Sequence, residues 1–123
     1  MKVFYTLKMV ADSESFLPSS SKPILVVESW LAHGFTIDTV EPSPVTAEQL
    51  YRAHKPDYVD GVLTYRIPNG FYNRSKAVAN SLIYTNGAML DAVKDAILTG
   101  GFACAPVSVF IMPVGIKAVG LHI

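Results

Sequence analysis

The feature that most constrains the fold is an alternation of short β-forming runs with helical segments, starting at the first residues of the chain. Residues 2–6 are rich in β-formers and alternate in character, which predicts a strand. The run Pro23 to Gly34 is apolar and starts with β-branched residues, but its length and punctuation favour a helix. Serines precede it, Pro23 suits a first turn, and Gly34 can supply a left-handed stop. Ile24, Val27 and Leu31 then share one face. Phe35 to Val40 alternates again and predicts a second strand. A helical crossover leaves that strand parallel to the first.

Downstream, Pro42 and Pro44 end the second strand. Thr46-Ala47-Glu48-Gln49 reads as a capping box, because the threonine oxygen can take an amide hydrogen while Gln49 reaches back to the cap. Pro56 can open another short helix through Leu63, with Tyr58, Val59 and Val62 available for burial. Residues 68–74 form a turn-rich loop. The pattern is helical from about Lys76, and clearest over Asn86 to Leu98, where Met89, Leu90, Val93 and Ile97 recur at helical spacing. Thr85 is a candidate cap and Gly100 and Gly101 a stop. Phe102 to Val107 suits a third, buried parallel strand. The order β, α, β, helices, β predicts an open α/β domain around a three-stranded parallel sheet.

Composition sets further bounds. At 123 residues the chain is one domain, able to bury roughly two thirds of its unfolded surface. Half of it is apolar, and ten basic residues balance ten acidic ones, so nothing steers it to nucleic acid or an anionic membrane. Cys104 is the single cysteine, which excludes an internal disulfide and fits a reducing cytoplasmic setting. The N-terminus lacks a signal-peptide pattern, and no stretch approaches a membrane span.

Three segments carry a resemblance: Ala53-His54-Lys55-Pro56-Asp57-Tyr58-Val59, Pro68-Asn69-Gly70-Phe71-Tyr72-Asn73-Arg74, and Ala103-Cys104-Ala105-Pro106-Val107-Ser108. In order and spacing they resemble the N-terminal third of the histone deacetylase and acetylpolyamine amidohydrolase family. The resemblance implies a three-layer, arginase/deacetylase-like α/β fragment. Its parallel sheet has about three strands in the order 2-1-3, flanked by helices. It spans residues 1–108. In the family the last segment continues as Gly-Phe-His-His-Ala, with the paired histidines moving protons, whereas here it runs Val109-Phe110-Ile111-Met112-Pro113.

One missing base is the hypothesis about the gene that accounts for the departure. Codons AGC GTT TTC ATC ATG CCG GTT GGG ATC, chosen among synonyms, would encode Ser108 to Ile116. A G restored before GTT would turn them into Ser-Gly-Phe-His-His-Ala-Gly-Trp. Residues 109–123 are then an apolar tail of out-of-frame origin. The resemblance implies that zinc belongs to the intact family and that its ligands come from later strands, so no cofactor, no metal ligand and no catalytic residue is assigned in this chain. Asn69, Gly70, Phe71, Asn73 and Arg74 correspond to the rim of the family's substrate channel.

Read without the family, the same residues have plainer roles. His54, Asp57 and Asp60 are metal-ligand types, but their placement around Pro56 suits a helix junction. The Asn69 to Arg74 loop offers amides and a guanidinium to an anion, without the glycine spacing of a phosphate loop. Cys104 in an apolar run reads as core, as does Trp30. The tail carries one formal charge, Lys117, and is sticky in water. Val109, Phe110, Ile111 and Met112 are therefore expected as contacts of a homo-oligomer built on the third strand and tail. The sequence thus predicts a truncated, catalytically inactive deacetylase-like protein. The alternative is part of a zinc-dependent deacetylase, acting on acetylpolyamines or acetyl-lysine, completed by sequence outside the chain. A small binding module using the Asn69 to Arg74 loop is a third reading.

Overall fold

A computed structural model describes residues 1–14 and 18–107. Its core is a three-stranded parallel sheet of β1 (Lys2–Phe4), β2 (Asp38–Val40) and β3 (Ala103–Cys104), in the order β2-β1-β3. Lys2, Val3 and Phe4 pair with Asp38, Thr39 and Val40, while Lys2 and Val3 pair with Ala103 and Cys104. The expected 2-1-3 order is present. The outer strands are shorter than predicted because β1 offers only three residues to pair with. Phe35 and Phe102 thus fall outside the sheet, and both are exposed.

The described residues form four α-helices: α1 (Lys22–Ala32), α2 (Ala47–Tyr51), α3 (Pro56–Leu63) and α4 (Lys76–Thr99). α1 has proline in its first turn, and Gly34, just after it, takes the left-handed conformation at φ 78°. α2 starts with the expected capping box: Thr46 Oγ1 accepts from Gln49 N at 3.2 Å, and Gln49 Oε1 accepts from Thr46 N at 2.9 Å. α3 starts at Pro56 and buries Val59 and Val62, as predicted.

The fourth helix corrects the sequence reading twice. It is one 24-residue helix capped by Ser75, whose hydroxyl accepts from Val78 N at 3.2 Å. Thr85 is buried within it, its hydroxyl donating to Ser81 O at 3.0 Å rather than capping. The stripe of Met89, Val93 and Ile97 also faces outward, at 44, 47 and 75% exposure. The buried face is Val78, Ser81, Leu82, Thr85, Ala88 and Ala92. Small residues there bring the helix close to the strands: Phe4, Met9, Ala88 and Ala92 form one cluster, with Ala103, Ala105 and Val107 packed against it.

Strand alternation assigns the two sheet faces. Phe4 and Ala103 belong to the α4 face. Val3, fully buried, and its partner Cys104 take the opposite face, where Cys104 lines a groove with α1. Ile24, Val27 and Leu31 do not all bury: Val27 is in the core, Ile24 half-buried and Leu31 exposed. Trp30, expected in the core, is half-buried and lines that groove.

Candidate functional site

α4 runs antiparallel to the strands. Its last turns meet the start of β1, where Asp95 pairs with Lys2 at 2.9 Å, and its first turn lies beyond the carboxyl ends of the strands. The Asn69 to Arg74 loop leads directly into that first turn. It therefore sits at the end of the sheet where open α/β folds gather ligands.

The loop is wired from within. Asn69 Oδ1 accepts from Phe71 N at 2.7 Å, and Asn69 Nδ2 donates to Asn73 Oδ1 at 3.0 Å. Asn69 N donates to Asn73 O at 2.7 Å, and Tyr72 N to Asn69 O at 2.9 Å. Asn73 Oδ1 also accepts from Ser75 N at 3.0 Å, while Asn73 Nδ2 donates to Ser13 O at 2.5 Å. The two asparagines thereby tie the loop to the cap of α4 and to the segment following β1. Phe71 anchors it from below, buried with Ala11 and Val78.

Of the five residues expected at a channel rim, Asn69, Gly70 and Phe71 are buried, Asn73 is half-buried and Arg74 is exposed. The structure brings them into one loop and commits both asparagine side chains to holding it. What the loop presents to solvent is Arg74 and Tyr72. Tyr72 is 85% exposed and held at φ 64°, a left-handed conformation uncommon for a bulky residue. The sequence reading passed over Tyr72, and its place between Phe71 and Asn73 in a turn-rich loop was the available signal. A guanidinium and a phenol suit anionic or planar groups. With amides they form a donor set unlike the thiolates, imidazoles and carboxylates that hold zinc, so the loop does not fit a zinc ion.

At the junction of α2 and α3 the expected trio does not converge. Asp60 accepts a hydrogen bond from the Tyr51 hydroxyl, and Asp57 is exposed. That bond is the main reason the Tyr51 hydroxyl is held above its ordinary pKa. His54 packs against Tyr58, ring centroids 6.3 Å apart, and its buried Nδ1 has no hydrogen-bond partner among the described residues. Burial pushes its pKa below the usual histidine value. Among the described residues no three His, Cys, Asp or Glu side chains are grouped to hold a metal ion.

Cys104 is half-buried on the α1 face, and burial pushes its thiol pKa up, away from the reactive thiolate. The expected oligomer contacts Val109, Phe110, Ile111 and Met112 lie outside the described residues. Among the described residues no helix is long and apolar enough to cross a membrane. No protein-family model and no curated protein matches the chain.

Proposed function

We propose that the chain is the N-terminal portion of a zinc deacetylase-like protein, catalytically silent by itself, whose reading frame leaves that of the family at codon 108. One observation carries this reading. In a parallel sheet of order 2-1-3, the Asn69 to Arg74 loop and the Cys104-Ala105-Pro106 segment both lie at the carboxyl ends of the strands. There the loop would border a substrate channel and the segment after β3 would carry the proton-handling histidines. The chain's only histidines are His33, His54 and His122, and none stands in tandem with another. A water-activating zinc site with a histidine pair is therefore not encoded here.

The test is genetic. Restoring one base at codon 108 and expressing the extended frame is expected to yield a zinc-dependent deacetylase whose activity requires both restored histidines. A stop within a few restored codons, or an extended frame without Asp-x-His, would refute the proposal.

Among the described residues no strand pairs with the outer edge of β3, which favours a second reading, in which a separate polypeptide supplies further strands and the pair hydrolyses acetylpolyamines or acetyl-lysine. Co-expression with the frame-restored downstream segment tests it through recovery of activity and co-purification.

Balanced charge and a lone free cysteine support a cytoplasmic protein without a nucleic-acid role. Self-association belongs to the same proposal. Light scattering checks the expected homo-oligomer through the third strand and tail, which ending the chain at Ser108 should dissociate.

A further inference from the structure

The amino ends of the three strands gather exposed apolar side chains. Met1 and Phe102 immediately precede the paired Lys2 and Ala103, and Phe35 lies in the segment leading into Asp38 of β2. The last turns of α4 meet the same end of the sheet and bring Ile97 and Leu98 to it. Exposure of these five residues runs from 61% at Phe35 to 87% at Phe102. At the usual size of such side chains this places roughly 500 Å² of apolar surface at one end of the sheet, within the range of about 300–600 Å² that marks an often functional patch. A homodimer contact of about 800 Å² per partner, about 65% of it apolar, requires that amount.

Shape identifies the partner. Beside the patch is a hollow of about 250 Å³, whose described lining is Met1, Trp30, Phe35, Thr36 and Ile37. It falls short of the roughly 300–1,000 Å³ of small-molecule sites and is closer in size to one large side chain. Phe35 in its wall is exposed, so the hollow opens to solvent. Phe102 is the most exposed large apolar residue described, and it lies across Met1 from Ile37, because Lys2 pairs with both Asp38 and Ala103. A projecting ring and a hollow therefore share one surface, on either side of Met1. Such a surface is self-complementary: a two-fold axis sends the Phe102 of each copy to the hollow of the other, and the contact closes at two chains.

We propose that two copies of this chain pair through the amino ends of their sheets, with Phe102 of each seated in the Met1–Phe35–Ile37 hollow of the other. The contact uses neither the outer edge of β3 nor residues 109–123, so it goes beyond the tail-mediated assembly and does not rest on the deacetylase reading. Assembly through the tail then joins these dimers, and loss of the tail returns them.

Trp30 is the only tryptophan and lines the hollow, so its fluorescence reports the contact. In the untagged full chain its protection from acrylamide should fall on dilution, at the concentration where sedimentation shows dimers separating. Phe102→Asp should raise the dissociation constant at least tenfold and leave Trp30 accessible at every concentration, with far-UV circular dichroism unchanged. Where that variant fails to fold, a mixture decides: full chains carrying Phe102→Cys and full chains carrying Thr36→Cys, both with Cys104→Ser, should form the mixed disulfide under mild oxidation. Quenching of Trp30 that ignores both dilution and Phe102→Asp, or absence of the mixed disulfide in an assembled protein, would overturn this proposal and leave tail-mediated assembly standing. A monomer at every concentration would overturn both.

Discussion

The two faces of the sheet are covered by helices that use apolar residues in opposite ways. On one face α4 presents Ala88 and Ala92 to Phe4 and Met9, so small side chains allow close approach and the interface is sealed. On the other, α1 fully buries only Pro23 and Val27, and a groove remains beside Trp30. Both helices point large apolar residues to solvent: Leu25 and Leu31 from α1, and Met89, Val93 and Ile97 from α4. Apolar periodicity thus marks a helix without saying which face meets the core, because close packing selects for small residues as readily as for large ones. Stability should therefore reside in the α4 face, and the α1 face should tolerate change.

The largest expected effect tests the sealed face. A Cβ at Gly87 would stand 1.9 Å from Ser43 O, backbone that cannot yield cheaply. Gly87→Ala should cost about 3 kcal/mol in urea unfolding, despite the better helix propensity of alanine. A loss below about 1 kcal/mol would mean that α4 is not seated as described.

Next comes the loop before α4. Asn69→Ala removes the acceptor for Phe71 N and the donor to Asn73 in a buried setting, and should cost about 2 kcal/mol. Tyr72→Ala in the same loop should change stability by no more than about 0.5 kcal/mol, because the ring is in solvent. Equal losses at the two positions would contradict the division between wiring and presentation.

A smaller effect depends on pH. Burial lowers the folded-state pKa of His54 below the ordinary histidine value of 6.5, so the unfolded chain binds the proton first as pH falls. Stability is therefore intact above about pH 6.5 and declines as pH drops from there through the lower folded value. His54→Gln should flatten this part of the profile of melting temperature against pH. An unchanged slope would assign it to other groups.

The smallest effect sharpens the comparison from the open side. Leu31→Ser on α1 should shift stability by about 0.5 kcal/mol or less. A loss near that of Gly87→Ala would show that the α1 face is as closed as its counterpart.

What could be read in advance follows the range of the interactions involved. The parallel 2-1-3 sheet, the α2 capping box and the proline start of α3 depend on neighbours in sequence or on the resemblance, and they were legible. Strand ends were not, since the three residues of β1 decide how far Asp38–Val40 and Ala103–Cys104 can pair. The unbroken α4 was obscured by Thr85, which looks like a cap but returns its hydroxyl to Ser81 O. The loop was found as a segment, but the work of Asn73 was hidden because its partner, Ser13 O, lies sixty residues earlier. The groove beside Trp30 had no local signature, since it arises from the meeting of α1 with the end of β3.

The proposal that this α/β chain is a catalytically inactive deacetylase-like fragment is tested most directly by turnover. Purified chain, supplied with zinc and with acetyl-lysine or acetylpolyamine, is expected to release no acetate above a protein-free control and to retain no stoichiometric metal. Chelator-sensitive hydrolysis by the same preparation, free of contaminating hydrolase, would contradict the account.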